Sequence, residues 1–264
     1  MKRDDYPKQE PLSPAGEAYG EECWRRGEGI EGDEFAYGPD PYQRVLRFAP
    51  VGPSLATLLF WHGGGWTSGY KEWMAFMAPA FTASGITFVT AGYRLAPRHV
   101  FPAALDDCVN ALEWTREYVG DDVFIGGHSA GGHYAALIAA RGGAPVTRGC
   151  LAISGVFEFG EGSGLSMRPR FLGDDPQAER NASPRFALRA PLPPFHIAYG
   201  TQDFPHLIPQ AQRFVQAVRA AGGEAEEIPL EGRTHFTASY AGGEVDGPWV
   251  SSAVAFMRRH AGQR

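Results

Sequence analysis

The chain has 264 residues, of which 44% are hydrophobic, and a formal net charge of −6. This acidic balance disfavours nucleic acid as a partner, since nucleic-acid-binding proteins present a basic face. The chain contains no run of 18 apolar residues, so the sequence predicts no membrane span. The three cysteines, Cys23, Cys108 and Cys150, lie far apart without C-x-x-C spacing. Together with a charged, proline-rich N-terminus that lacks the apolar stretch of a signal peptide, they predict reduced thiols and a cytoplasmic protein.

Residues 1 to about 40 differ in texture from the rest of the chain. They are polar and rich in Gly, Pro and Glu, with isolated aromatic residues at positions 19, 24, 35 and 37. A segment of this kind offers too little apolar surface for a core of its own. We therefore interpret residues 1–40 as an N-terminal arm, called the arm below, that folds over the domain and covers its site.

From residue 42 onward, apolar runs typical of strands alternate with segments of helical periodicity. The predicted strands are 42–48, 56–61, 86–93, 122–127, 149–155, 195–200 and 225–230. The predicted helices are 71–84, 102–119, 130–141, 208–222 and 248–260. Because strands that alternate with helices form βαβ units, we expect a single α/β domain over residues 1–264, with a mostly parallel central sheet and helices on both faces.

One segment interrupts this alternation. Residues 156–194 contain many turn-forming residues and few periodic apolar positions. Long irregular insertions in compact domains are usually covers or binding loops. We therefore predict that residues 156–194 form a small cap over a site, and we call this segment the cap.

The stretch HGGGW, residues 62–66, follows a predicted buried strand. Consecutive glycines allow the backbone to approach a substrate closely, and no side chain blocks their N–H groups. Such donors stabilise the oxyanion that develops when a carbonyl is attacked. We therefore predict that Gly64 and Gly65 form part of an oxyanion hole, against the alternative of an ordinary glycine-rich turn.

A second glycine-rich motif, G-x-S-x-G at residues 127–131, lies between a predicted strand and a predicted helix. This pattern is typical of a nucleophilic serine on a sharp strand-to-helix turn, but with 34 glycines in the chain the motif alone is a weak signal. The HGGG stretch one strand–helix–strand unit earlier favours the nucleophile over an ordinary turn serine. We therefore predict Ser129 as the nucleophile, with the Ala130 N–H as a further oxyanion donor at a helix N-terminus.

A serine hydroxyl needs a base to remove its proton and an acid to orient that base. Among the later histidines, His235 lies in a predicted loop after a strand, and we predict it as the base, with an ordinary surface histidine as the alternative. Asp203 lies in the loop between a buried strand and a helix, which favours it over Glu231 as the acid. His206 shares that loop and is interpreted as a rim or surface residue.

These motifs resemble the α/β-hydrolase family, and most closely its HGGG-bearing hormone-sensitive-lipase-like esterases and the neighbouring arylformamidase (kynurenine formamidase) group. The resemblance covers roughly residues 42–260 and is carried by HGGGWTSGYKEWMAFM, YRLAP, GHSAGGHYAAL, ISGVFEF, ERNASP and GTQDFPHLIPQAQRF. Gly65 is closer to the esterase pattern, whereas TQDFPHL lacks the Asp-Pro-Leu that those esterases carry around their acid. The resemblance therefore leaves ester and formamide substrates open.

The resemblance implies an α/β-hydrolase fold, a Ser129–Asp203–His235 triad and an oxyanion hole of Gly64, Gly65 and Ala130. It further implies a serine hydrolase that forms an acyl-enzyme and needs neither a cofactor nor a metal. Its substrate would be a small carboxylic ester or aryl-formamide.

Further expectations concern the pocket, the class of protein and its assembly. Trp66 and Tyr70 are candidate substrate contacts, with ordinary packing as the equal alternative. A non-catalytic small-molecule-binding protein on the same fold and a peptidase are the alternatives to the hydrolase. A homodimer through an edge strand near residues 224–230 is an open option for assembly.

Overall fold

The computed structural model of the protein describes residues 1–142, 146–165 and 167–262. In this part of the chain eight strands form one sheet. The strands are β1 (Asp33–Ala36), β2 (Arg44–Phe48), β3 (Ala56–Trp61), β4 (Ile86–Ala91), β5 (Val123–His128), β6 (Cys150–Ile153), β7 (Phe195–Gln202) and β8 (Ala225–Thr234).

The strand order across the sheet is β1-β2-β4-β3-β5-β6-β7-β8. The pairs of β2 with β1 and with β4 are antiparallel, and every other pair is parallel. Every residue of β3, β4, β5 and β6 is buried, as expected for a parallel sheet with both faces covered. This arrangement confirms the predicted α/β fold class with a mostly parallel sheet.

Eight α-helices accompany the strands in the described residues. They are α1 (Pro14–Gly27), α2 (Ala78–Ala83), α3 (Ala103–Tyr118), α4 (Ala130–Gly142), α5 (Ala178–Ala182), α6 (Leu207–Ala220), α7 (His235–Tyr240) and α8 (Pro248–His260). Helix α4 is buried along nearly its whole length and contacts β3, β5 and β6. Helix α4 therefore packs on the centre of the sheet, and its first residue lies directly after the loop at the end of β5.

Strand β1 and helices α1, α5 and α7 are absent from the sequence prediction, and one predicted helix differs in type. The arm contains helix α1, which begins after Ser13, whose Oγ accepts the Gly16 N–H, and has a proline as its first residue. The segment Lys71–Met77 is a 3-10 helix instead of the first half of an α-helix. Pro79 lacks the N–H that an α-helix would direct to the Ala75 oxygen, and the Ala78 N–H bonds to that oxygen instead.

A buried cluster of charged and polar side chains fixes both ends of the arm to the domain. The Lys71 ammonium is 1% exposed and lies 2.6 Å from Glu72 Oε1 and 2.9 Å from Glu34 Oε2. It also donates to the Tyr6 hydroxyl at 2.5 Å. Because a buried charge is tolerated only when it is paired and hydrogen-bonded, this cluster holds residues 6 and 34 of the arm against the domain.

Within residues 1–142, 146–165 and 167–262, no helix combines the length and the apolar character that crossing a membrane requires.

Candidate active site

Ser129 is the only residue between the end of β5 and the start of α4. Its φ of 54° lies in the left-handed region, and its backbone is held on both sides. Its N–H donates to the Ile153 oxygen at 3.0 Å, and its own carbonyl accepts from the His133 N–H at 2.9 Å. A side chain at Gly131 would lie 2.1 Å from the Trp61 oxygen, so the close approach of α4 to β3 requires glycine at that position.

The structure brings together the three side chains that the sequence predicts as a triad. His235 Nε2 lies 2.9 Å from Ser129 Oγ, and His235 Nδ1 lies 2.8 Å from Asp203 Oδ1. An ionised carboxylate only accepts hydrogen bonds, so Nδ1 carries the proton and Nε2 presents its lone pair to the serine hydroxyl. The arrangement is that of a base poised to remove the Ser129 proton.

The environment keeps the Asp203 carboxyl ionised. Burial raises the pKa of this carboxyl, but the hydrogen bond and charge of His235, with smaller contributions from Ser154 and the Phe204 N–H, outweigh burial and lower the net pKa. The Phe204 N–H donates to Asp203 Oδ1 at 2.7 Å. Asp203 therefore stays an acceptor for the imidazole across the neutral pH range.

The local structure around the base differs from the predicted loop. His235 is the first residue of α7 and directly follows β8. The preceding Thr234 caps the helix, since its Oγ1 accepts the Thr237 N–H at 3.3 Å. Asp203, in contrast, lies in the turn between β7 and α6 as predicted, with its N–H bonded to the Gly200 oxygen at 3.0 Å.

Two of the three predicted oxyanion donors line the cavity at Ser129. Gly64 and Gly65 follow β3, and both line the cavity that contains Ser129. Gly64 has a φ of 121°, and a Cβ there would lie 2.0 Å from the Ser68 oxygen, so this turn requires glycine. In the described residues, the N–H groups of Gly64, Gly65 and Ala130 donate to no other backbone oxygen. Gly64 and Gly65 therefore have N–H groups without a backbone partner at the cavity wall, whereas Ala130, which follows Ser129 in the sequence, is fully buried and is not part of that wall.

The cavity at Ser129 has a volume of about 350 Å³ and mostly apolar walls. Its sides come from the arm, the HGGGW loop, the cap and the segments around the triad. The apolar side chains in its wall include Leu12, Tyr19, Trp66, Trp73, Val156, Leu165, Met167, Phe204, Leu207 and Phe236. Arg170 and His206 are among its few polar members. A small apolar group is the ligand that fits such a wall.

The two aromatic residues proposed as substrate contacts have different positions. Trp66 lies in the wall of this cavity, whereas Tyr70 does not. The expectation for Tyr70 is therefore corrected: its ring packs 4.9 Å from Tyr6 and 5.7 Å from Trp73, measured between ring centroids. Tyr70 packs against Tyr6 of the arm and does not line the cavity at Ser129.

Trp66 is held by a histidine that also contacts the cap. Its Nε1 donates to His133 Nδ1 at 3.1 Å, and His133 Nε2 donates to the Ala182 oxygen at 2.7 Å. Burial lowers the pKa of His133 to about 3, so the ring is neutral and both bonds keep their direction. His133 thus joins the HGGGW loop, helix α4 and the cap.

Sequence reasoning missed the contributions of Leu12, Gly16 and Tyr19 from the arm and of Phe204 and Phe236 beside the triad. The two phenylalanines directly follow the predicted acid and base, and this adjacency was an available signal. The arm residues lie more than 100 positions before Ser129. An arm over the site is predicted, but nothing in the sequence indicates which of its residues reach the cavity. In the part of the chain that the structure describes, no group of three or more His, Cys, Asp or Glu side chains could hold a metal ion.

The chain is similar in sequence to known proteins. A profile of the family described as having the alpha/beta hydrolase fold matches residues 58–239. The esterase LipC of Mycobacterium tuberculosis is 28% identical over 234 residues, which cover 75% of this chain and 58% of that protein. The amyloplastic tuliposide A-converting enzyme b3 of Tulipa gesneriana is 26% identical and is covered to 64%. The chain therefore spans less than two thirds of the length of these relatives.

Solved structures share the architecture. The thermophilic carboxylesterase EstE1, cloned from a metagenomic library, superposes with a TM-score of 0.78 at 21% identity, over 96% of this chain and 99% of that one. At this identity the likeness concerns the fold alone. Because the family profile matches more than half of the chain, this protein belongs to the α/β-hydrolase family.

Proposed function

We propose that this chain is a serine hydrolase that cleaves small carboxylic esters through an acyl-enzyme intermediate. The observation that carries the proposal is the continuous hydrogen-bonded path from Asp203 through His235 to Ser129, which ends at a cavity of about 350 Å³. LipC, the relative named above as an esterase, supports an ester as the substrate.

In the first half of the reaction, Ser129 Oγ attacks the ester carbonyl while His235 Nε2 takes the hydroxyl proton. Asp203 holds the imidazole and stabilises its charge. The carbonyl oxygen becomes an oxyanion that accepts from the N–H groups of Gly64, Gly65 and Ala130. His235 then returns the proton to the departing alkoxide, which leaves as an alcohol.

In the second half, His235 takes a proton from water, and the resulting hydroxide attacks the acyl-serine. The oxyanion forms again on the same N–H groups. The intermediate collapses to release the carboxylic acid, and the proton returns to Ser129 Oγ. Every proton transfer in this scheme uses His235 Nε2.

An aryl-formamide is the second candidate substrate. Trp66, Phe204 and Phe236 give the cavity aromatic walls, which suit a planar aryl group. A peptidase is disfavoured because the arm and the cap cover the site where a peptide would need an open groove. The remaining alternative is a binding protein that uses the cavity without turnover.

The test compares hydrolysis of a short-chain p-nitrophenyl ester with that of N-formylkynurenine, for the wild type, Ser129→Ala and a matched control, Ser251→Ala, at an exposed serine of α8. We expect ester turnover and fluorophosphonate labelling in the wild type and the control, and loss of both in Ser129→Ala by roughly a factor of 10³ or more. A strong preference for the formamide would change the substrate class. Absence of turnover and of labelling in the wild type would favour the binding protein.

A further inference from the structure

His128 directly precedes the proposed nucleophile, and the scheme above gives it no role. Its ring is buried, and Nε2 lies 2.9 Å from the main-chain oxygen of His235. A carbonyl oxygen only accepts hydrogen bonds, so His128 Nε2 carries the proton and Nδ1 is left as an acceptor. His128 therefore adopts the tautomer opposite to that of His235.

The acceptor nitrogen of His128 faces the arm. The Tyr19 hydroxyl lies 3.1 Å from His128 Nδ1 and must donate to it. Tyr19 belongs to α1 and is 4% exposed. A residue 109 positions earlier in the chain thus completes the hydrogen bonding of the side chain beside Ser129.

Tyr19 also contacts the helix that carries the base. Its ring centroid lies 5.2 Å from that of Phe236 and 5.7 Å from that of Tyr240, both in α7. Its hydroxyl lies 3.1 Å from Ser239 Oγ in the same helix. The arm therefore bridges the end of β5 and the start of α7, the two elements whose separation sets the distance between Ser129 and His235.

The direction of these bonds is fixed at neutral pH. Burial, with a smaller contribution from the nearby His235, lowers the pKa of His128 to about 3. Burial also raises the pKa of the Tyr19 hydroxyl well above its usual value. Both groups therefore stay neutral, and neither bond is lost by titration.

We propose that His128 and Tyr19 are positioning residues for the base: Tyr19 orients the His128 ring, and the His128 N–H holds the backbone of His235 so that its imidazole meets Ser129. The inference rests on the proposed function for its kinetic consequence. Small displacements of a catalytic group lower the rate of the chemical step more than they weaken binding. Docking of the arm is then a condition for catalysis as well as a cover for the site.

The first experiment compares Tyr19→Phe with Tyr240→Phe as the matched loss of a hydroxyl in the same aromatic cluster. Tyr19→Phe keeps the ring and removes the donor to His128, so kcat per titrated active site should fall roughly tenfold while KM stays within about twofold. Tyr240→Phe should leave both constants within about twofold of the wild type. Equal kcat values for the two variants would overturn the role of the Tyr19 hydroxyl.

The second experiment replaces His128. His128→Gln keeps an N–H donor with a similar reach to the His235 oxygen, whereas His128→Leu removes it. We expect Gln to retain kcat within roughly threefold and Leu to lose at least roughly tenfold, again counted per fluorophosphonate-titrated site so that misfolded protein is excluded. Equal losses in both variants would overturn the proposed bond to His235.

A third measurement does not depend on turnover. Nitrogen NMR of ¹⁵N-histidine-labelled protein, with His128→Gln for assignment, should show a neutral His128 protonated at Nε2 and a proton on Nδ1 of His235. In Tyr19→Phe the His128 Nδ1 resonance should shift towards that of a nitrogen without a donor. Protonation of His128 at Nδ1 would overturn the inference even in an active enzyme. An inactive wild type with the expected tautomers would overturn the proposed function instead.

Discussion

The end of the sheet where the strands stop at Ser129, called the sheet edge below, is held by different interactions from those between the arm and the cap. At the sheet edge, His62, His128 and His133 are buried and neutral, each with a hydrogen bond to a main-chain oxygen. Where the arm meets the cap, in contrast, Arg170 and Glu10 form an ion pair at 3.1 Å with side chains that are 48% and 41% exposed. Buried hydrogen bonds with a defined donor and acceptor fix the positions of the side chains that they join, whereas exposed ion pairs contribute little to the free energy of unfolding.

This difference indicates that the sheet edge is more rigid than the contact between the arm and the cap. The groups that would move protons are held by buried hydrogen bonds, while the ion pair between the arm and the cap, whose Arg170 lines the cavity, is exposed to solvent. Changes at the sheet edge should therefore affect stability and rate strongly, and changes at the arm–cap contact should affect access. Three predictions test this division, from the largest expected effect to the smallest.

Acidification should destabilise the fold through its buried histidines, three of which lie near Ser129 and one of which, His196, lies near the start of β7. Burial lowers the pKa of His62 and His196 to about 4 and that of His128 and His133 to about 3. Unfolded histidines titrate near 6.5, so the unfolded state binds more protons than the folded state between these values, and stability is lost as pH falls below about 6.5. From pH 7 to pH 5.5 the free energy of unfolding should fall by about 5 kcal/mol for the four groups together.

Urea unfolding at the two pH values, at constant ionic strength, measures this change. His196→Gln removes one of the four groups and lies away from the proposed triad, so it should reduce the loss by about 1 kcal/mol. A free energy of unfolding that is the same at pH 7 and pH 5.5 would contradict the neutral, buried state of these rings.

Substitution of Gly64 should disrupt the HGGGW turn far more than the same substitution of Gly65. At Gly64 both the φ of 121° and the approach of the Ser68 oxygen exclude a side chain. At Gly65 the φ is 62° and no atom lies within 4 Å of an added Cβ. We expect kcat/KM to fall by roughly 10² or more, about 3 kcal/mol, in Gly64→Ala. The fall in Gly65→Ala should stay below about tenfold.

Steady-state kinetics of the two variants on one ester, with circular dichroism to confirm folding, decide the matter. A loss below about tenfold in Gly64→Ala would mean that the turn tolerates a side chain at this position, and would contradict the steric argument.

The smallest effect should come from the contact between the arm and the cap. Glu10→Gln removes the charge that pairs with Arg170, and because the pair is exposed, the free energy of unfolding should change by less than about 0.5 kcal/mol. Hydrolysis of a long-chain relative to a short-chain p-nitrophenyl ester should rise about two- to threefold as the mouth of the cavity opens. Glu21→Gln, in the comparably exposed pair with Arg3, is the control and should leave this ratio unchanged.

The central sheet and the candidate triad could be predicted because their signals are local. Continuous apolar runs marked β3 and β4 with little error, and the glycines around Ser129 marked the turn between β5 and α4. His235 and Asp203 each follow a strand in the sequence, so their meeting at one sheet edge follows from the parallel topology. These features need no knowledge of distant contacts.

The rest depends on tertiary contacts or on short elements. Helix α7 has six residues, too few for periodicity to distinguish it from a loop, so His235 is predicted in a loop. Helix α1 is signalled only by Ser13 and Pro14 at its start, within a polar segment. The packing of Tyr19 against His128 depends on how the arm docks, and a single sequence gives no record of that docking.

The left-handed backbone at Ser129 has a consequence for how this chain can change over generations. A residue with a Cβ in that conformation is less favourable by about 1–2 kcal/mol, and glycine escapes this cost. Ser129→Gly should therefore yield a better-tolerated fold with no nucleophile. Selection for folding alone would drive this position towards glycine, so a serine retained here in descendants of this chain would indicate that turnover, and not stability, is what they inherit.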